Sequence, residues 1–463
     1  EKFVRGEERF ALEDVDADEN HPKVLWVWRG NLIGTSMRGH EYGLKHLMGT
    51  HNNVLGEDRS KGLIKGIDWH EEAPTGKLDL MVSVNLRMDS TANYADIVLP
   101  TAHWYEKSDL TCSDLHSFFH PFTPAHDPPW EAKDDWDTFK VCAAKISELA
   151  AKHLPGEFED MVMTPMITDS KDEMAQPMGE INDWHAGDVE AIPGKTFPKV
   201  KTVVRDYTKL HEKYTTFGPR VCEPEGYGCK GINGDLSEVY EGLKSSYLVG
   251  EKDGRPSLEK AQQVAEVILR ISPESDGEVS HMIFKNLEKR VGLPLAKLVE
   301  HETEVAHHYP DLQSQPRRSM TSPHWSAIEG PGRTYSPWTM NVEMLKPWHT
   351  LTGRQEIYYD HHAYRDLGEA LPTYKPPVDM VKIGDCQPDK AAAGKSKVFR
   401  YLTPHGKWSI HSMFWDTWQM LNLFRGGQVI WMNDEDAKEI DVKDNDWVEV
   451  YNENGICNVR AVL

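Results

Sequence analysis

At 463 residues the chain exceeds one ordinary domain and suits two or three. A charged fraction of 27% beside a hydrophobic fraction of 39% describes a globular protein with ample core, and no apolar run approaches the ~20 residues that span a bilayer. With 52 basic against 74 acidic residues the net charge is −22, which argues against a nucleic-acid or anionic-membrane surface and means that an anionic ligand needs a locally positive pocket.

In chain order, KVLWVWRGN reads as a strand ending at Arg29-Gly30-Asn31, and GHEYGLKHLMG as a short helix. LDLMVSVN is a second strand and YADIVLP a third, apolar and β-branched until Pro100 stops the ladder. DWDTFKVCAAKISELAAKHL follows as an amphipathic helix, with Phe139, Cys142, Ile146, Leu149 and Ala150 on its expected inner face and Asp135 or Asp134 as its N-cap. Strands separated by helices predict an α/β architecture: a doubly wound, mostly parallel sheet over residues 1–150. Residues 151–344 are less regular and helix-rich, with SLEKAQQVAEVILRI and SHMIFKNLEKRVG as helices and QPRRSMTSPHWSAIEGPGRTYSPW as an ordered surface loop. From 345 to 463, short strands (KVFRYLT, QVIWM, DWVEVYN, CNVRAVL) alternate with tight turns, the pattern of a small β-barrel, here incomplete because the chain ends in what reads as mid-strand.

Ligands of open parallel sheets bind beyond the carboxyl ends of the strands. Three such ends are loaded with polar groups: Arg29-Gly30-Asn31, the run Asn85 to Asp89, and Thr101 to Lys107. Arg29, Arg87 and Lys107 offer positive charge for phosphates, while Asn31, Asn85 and Thr101 offer hydrogen bonds to a base edge or a ribose. Neither GxGxxG nor GxxxxGK[ST] occurs, so an ordinary NAD site or P-loop is not expected. TPHGKWSIHS places His405 and His411 six residues apart in a polar loop able to hold an extended heterocycle; by spacing alone they also suit plain surface residues. His116, His120 and His126 lie in a connector rich in proline and aromatics, read as rigid packing in preference to a metal cluster. The six cysteines form no CxxC, so no metal or cluster ligation is expected of this chain; Cys222 and Cys229 in VCEPEGYGC read as free thiols, with a loop disulfide as the alternative.

STANYADIVLPTAHWYEKSDLTCSDLHSFFHPFTPAHDPPWEAKDDW strongly resembles the catalytic subunits of membrane-associated respiratory nitrate reductases and the related nitrite oxidoreductases, members of the molybdopterin dinucleotide (dimethyl sulfoxide reductase) family. WRGNLIGTSMRGHEYGLKHLMGT, PWHTLTGRQEIYYDH, YLTPHGKWSIHS and DAKEIDVKDNDWVEVYNENG match the same subunits in the same order, from about residue 23 to the end. The resemblance implies a bis-molybdopterin guanine dinucleotide cofactor with molybdenum, and oxygen-atom transfer coupled to two electrons that interconverts nitrate and nitrite in either direction. It implies that Arg29 and Asn31 contact nucleotide or diphosphate, and that Thr101, Lys107 and Asp135 sit at the guanosine. Thr403, His405, His411 and Ser412 would join the cofactor contacts, with His405 and His411 at the pterin. Asn85 departs from the pattern, since nitrate reductases usually carry a carboxylate there; guanine N1 and N2 are donors, so Asn accepts less well unless Asp89 substitutes. The molybdenum-ligating aspartate and the ligands of a [4Fe–4S] cluster are expected upstream of Glu1, leaving no metal ligand in this chain. Expected partners are an iron–sulfur beta subunit and a haem-bearing subunit, with membrane association through them. The same resemblance admits relatives acting on selenate, chlorate or perchlorate, and a non-catalytic scaffold of the same fold.

Overall fold

The computed structural model describes residues 5, 21–36, 42–49, 76–113, 116–163, 190, 200–223, 227–229, 232–320, 345, 347–348, 353–359, 362–374, 395–404, 412, 417–452 and 455–463. The chain divides into two compact units, Phe10–Pro100 with Tyr374–Leu463, and Thr101–Thr373 with Glu1–Arg9.

In the first unit, β1 (Val24–Trp28), β2 (Leu80–Asn85) and β3 (Ile97–Pro100) form a parallel sheet in that order. The register sets Trp26 beside Val82 and Val82 beside Ile97. A central parallel strand must be apolar on both faces, and from Met81 to Asn85 every residue of β2 is buried. Val27, Ile33 and Met81 form the core beneath it, with Leu25, Leu44 and Met48 packed alongside. Within the expected helix 39–49, the described residues hold no α-helix: Tyr42–Leu47, like Leu32–Ser36 before it, is a wide π-type turn, closed by Met48 N donating to Gly43 O at 3.2 Å. Between β2 and β3 lies α1 (Ser90–Tyr94), whose N-cap is Asp89. Asp96 Oδ2 accepts from Met81 N at 2.8 Å and ties the exit of α1 back to the sheet.

In the second unit, β4 (Asp109–Ser113) and β5 (His116–Phe122) form an antiparallel hairpin. Helix α2 (Asp135–His153) runs as expected, and its N-cap is Asp134, whose carboxylate accepts from Asp137 N at 2.6 Å. Of its expected inner face, Ala150 is buried and Phe139 and Cys142 are half-buried. Thr138, Ala143 and Ala150 are buried, whereas Ile146 and Leu149 are 43% and 42% exposed. The next helix, α3 (Leu210–Thr215), is tied to α2 where Ser147 Oγ accepts from His211 N at 2.9 Å. The ribbon β6 (Phe158–Met163) and β7 (Val200–Arg205) follows, then α4 (Ser237–Ser245). Two predicted helices are present as α5 (Ala261–Ile271) and α6 (Gly277–Val291); Gly292 ends the second in the left-handed region at φ 71°. After α7 (Tyr309–Ser314), the short β8 (Arg317–Arg318) adds to the free edge of β5. Phe119, Ala265, Leu269, Tyr309 and Leu312 are buried together where β5, α5 and α7 meet. Most of the predicted surface loop, 321–338, lies outside the described residues.

The C-terminal part returns to the first unit. It holds α8 (Trp418–Leu423), β9 (Val429–Trp431), α9 (Asp434–Glu439), β10 (Trp447–Asn452) and β11 (Gly455–Val462). The strands form an open sheet in the order β9-β11-β10, parallel on one side and antiparallel on the other. The expected barrel is therefore not what the described residues form. Closure needs an unbroken ring of paired strands, and the candidate strand at 397–403 has no regular ladder, with Tyr401 and Leu402 exposed. The doubly wound expectation is met as far as three parallel strands, whose order shows no reversal.

Leu269 is wholly buried, and its neighbour Ile268 is 49% exposed. Leu269→Ala should therefore cost about 2–5 kcal/mol and visibly lower the thermal midpoint, while Ile268→Ala should stay near ~0.5 kcal/mol. Paired melts of the two variants check this.

Candidate functional site

The polar strand ends fall into two clusters, one in each unit. The first begins where β1 stops. Arg29 adopts a left-handed backbone at φ 51°, a conformation that costs a non-glycine residue on the order of 1 kcal/mol, and its N–H donates to Val84 O at 2.9 Å. This kink turns the chain at the carboxyl edge of the sheet, next to the end of β2.

Two residues on, Asn31 is buried at 4% exposure. Its Oδ1 accepts from Thr91 Oγ1 at 2.8 Å, Gly34 N at 3.1 Å and Thr91 N at 3.2 Å, and its Nδ2 donates to Ser412 Oγ at 2.5 Å. Thr91 Oγ1 in turn accepts from Ile33 N at 3.0 Å. A Cβ on Gly34 would stand 2.3 Å from Asn31 Nδ2, so glycine is required there. The Asn31 oxygen is thus occupied by protein donors, and what this residue can offer a ligand is amide N–H. Its bond to Ser412 brings that one residue of TPHGKWSIHS to the sheet end; Thr403 is exposed, and His405 and His411 lie outside the described residues. Arg87 reaches the same part of the chain, its Nη2 donating to Thr417 Oγ1 at 2.9 Å.

Asn85, at the end of β2, is buried at 3% exposure. Its Oδ1 accepts from Leu86 N at 2.8 Å, and its Nδ2 donates to Asp89 Oδ2 at 2.7 Å. Asp89 Oδ1 meanwhile accepts from Ala92 N at 2.9 Å. Burial pushes the Asp89 carboxyl above the usual aspartate range, against hydrogen bonds from Ala92, Thr91 and Asn85 that pull it down. The carboxylate at this strand end is therefore Asp89, with Asn85 as its holder.

The second cluster starts at the residue after β3. Thr101 bridges to Lys133, with Ala102 N donating to Lys133 O at 2.8 Å. Thr101, Lys107 and Asp135 are all buried, at 5%, 7% and 8% exposure. Thr101 Oγ1 donates to Asp135 Oδ1 at 3.1 Å, and Lys107 Nζ donates to Asp135 Oδ2 at 2.9 Å and to Asp109 Oδ2 at 2.5 Å. All three residues expected at a guanosine thus meet through one carboxylate. Asp109 is a participant that the sequence reading omitted, although Lys107 and Asp109 stand two apart in extended backbone and so share a side. Lys107 also borders a cleft of about 470 Å³, whose lining carries both signs of charge: Lys107, Lys133 and Lys140 beside Glu106, Asp127, Asp134 and Asp137, with Ser108 and Gln262. Gln262 Nε2 donates to Ser108 Oγ at 2.9 Å on its wall. A buried ammonium, carboxylates and hydroxyls beside a cleft of this size suit a ligand with anionic oxygens and donor edges, the chemistry of a guanosine phosphate. Among the described residues no His, Cys, Asp or Glu group could hold a metal ion.

Asn85→Asp would set a second carboxylate where Nδ2 now lies 2.7 Å from Asp89 Oδ2. Two carboxylates that close do not both ionise, so the pair's folded pKa rises above the unfolded value of about 3.9. The variant should match its parent below that unfolded value and lose stability as pH rises through the raised folded value. Thermal melts between about pH 4 and about pH 8 check the sign, and adding Asp89→Asn should flatten the profile.

Residues 27–145 match the family model for molybdopterin oxidoreductase, 225–343 that for nitrate reductase alpha chain, domain V, and 399–463 that for the "Molydopterin dinucleotide binding domain". The nitrate reductase alpha chain of Bacillus subtilis is 45% identical over 98% of this chain and 37% of its own length. The respiratory nitrate reductase 1 alpha chain of Escherichia coli is 41% identical over 99% and 37%. The perchlorate reductase subunit alpha of Dechloromonas aromatica is 29% identical over 99% and 34%. The chain thus spans little more than a third of the length of these relatives.

Proposed function

The chain belongs to the molybdopterin oxidoreductases of the nitrate reductase alpha type, and on that premise we propose that it cradles a guanine dinucleotide of a bis-molybdopterin cofactor in an enzyme interconverting nitrate and nitrite. The observation that carries the reading is the buried Thr101–Asp135–Lys107 constellation, which follows the third parallel strand within the region matching the molybdopterin oxidoreductase model. Asp135 accepts from the donor groups of guanosine, Thr101 fixes its orientation, and Lys107 supplies positive charge to oxygens of the ligand. At the other strand ends, Arg29 and the Asn31 amide bind nucleotide or diphosphate oxygens, and Asp89, held by Asn85, accepts from base or ribose donors. Thr403, His405, His411 and Ser412 orient the pterin through hydrogen bonds. When bound, molybdenum supplies oxygen-atom transfer coupled to two electrons.

This reading divides the chain into a dinucleotide-binding α/β region over 1–150, a helix-rich region over 151–344 and a second dinucleotide-binding region over 345–463. It places an iron–sulfur beta subunit and a haem-bearing subunit beside the enzyme, with a [4Fe–4S] cluster in the complete catalytic subunit and membrane association through the partners. Among the described residues no helix is long and apolar enough to cross a membrane. A related oxyanion is the second reading, favoured by the likeness to a perchlorate reductase alpha subunit.

The test uses the complete enzyme. Mild acid hydrolysis should release GMP, molybdenum should be present, and reduced viologen should be oxidised with nitrate; perchlorate as the better oxidant would select the second reading, and a flavin or nicotinamide in place of GMP would refute both. Lys107→Ala should weaken nucleotide retention by ~1.5–3 kcal/mol, the range of a charge-assisted hydrogen bond, with molybdenum and GMP content falling together. Unchanged contents would make Lys107 a purely structural cation.

A further inference from the structure

Lys107 holds two counter-ions of unequal kind. The Asp135 side chain is 11% exposed, begins the nineteen-residue helix α2, and is gripped by Thr101 as well as by the lysine. The Asp109 side chain is 44% exposed, and among the described residues its other oxygen accepts from the N–H of the adjacent Leu110, at 2.8 Å. One ammonium against two carboxylates leaves the group net negative, which repels the anion that a buried lysine is suited to receive. Asp135 is the better-held partner, because Thr101 grips its other oxygen and burial leaves it little water to turn to. Asp109 yields more easily, because water readily replaces the lysine as partner of a half-exposed carboxylate.

We propose that Asp109 is an exchangeable partner: it occupies Lys107 until the ligand arrives, and an anionic oxygen of the ligand then takes its place while Asp135 stays. The ligand class is a nucleoside diphosphate, and the proposal rests on the nucleotide-binding reading given above. The lysine lines the cleft from which such an oxygen would approach, and Asp109 needs only a side-chain rotation to yield. Before ligand binds, Asp109 gives the buried ammonium a second acceptor beside Asp135. If the ligand instead presented a hydroxyl or amine to this point, Asp109 would be its acceptor and would strengthen binding.

The experiment titrates GDP, and guanosine as the uncharged comparison, into the complete enzyme produced without its cofactor, by calorimetry. Asp109→Asn and Asp109→Ser are compared with Lys107→Ala, each first shown to melt cooperatively. Both Asp109 variants should bind GDP about three- to tenfold more tightly than the parent, with guanosine unchanged, because a competitor for Lys107 has been removed. Equal or weaker GDP binding by both, with Lys107→Ala impaired, would overturn the exchange and leave the nucleotide site standing. Parent-like GDP binding by Lys107→Ala would remove Lys107 from the site and the exchange with it.

Discussion

One carbonyl oxygen organises the carboxyl edge of the parallel sheet. Asn31 Oδ1 accepts from both the backbone and the hydroxyl of Thr91 and from Gly34 N, and its amide reaches Ser412. Through this one side chain the kink after β1, the start of α1 and a segment some 380 residues away in sequence (|i−j| of 381) are held in register. Buried polar groups left unpartnered cost on the order of 1–3 kcal/mol each, so the constraint acts on the whole set: no member can move without stranding another. The Asn85–Asp89 pair beside it works the same way, joining the end of β2 to the cap of α1.

Charge is handled by locality. The protein carries −22 overall, yet its buried Lys107 is fixed within hydrogen-bonding distance of two carboxylates. The positive residues expected at one crevice are divided between the units, with Arg29 and Arg87 in one and Lys107 in the other. Each therefore has to be understood from its own neighbours. For Lys107 those neighbours are acids, which makes a fixed partner and a yielding partner necessary if it is to meet an anion at all.

Much of this was legible in the residues. The three parallel strands, α2 with an aspartate cap, and α5 and α6 all follow from local pattern, because strand and helix periods are written in the apolar spacing. Thr101, Lys107 and Asp135 could be nominated from their place after a strand and from the family likeness, and they do meet. What pattern could not supply were choices made by tertiary contact. Ala150 is buried on α2 as expected, but Ala143 is buried too, while Ile146 and Leu149 are exposed. The strand-like alternation at 397–403 found no ladder, since β-propensity registers partners more than backbone preference. The role of Asn85 depended on where its oxygen pointed, and Asp109 on which side it shared with Lys107.

Gly34 carries a consequence for how such a sequence can change over generations. The absent methyl at position 34 is the space that the Asn31 amide fills, a 2.3 Å approach that no other residue permits. The two sites are therefore not free to drift separately. A lineage that acquires a side chain at 34 must first, or in the same step, have given up the amide at 31, and with it the anchorage of Thr91 and Ser412. In any set of descendants, glycine and asparagine here should be kept or lost as a pair.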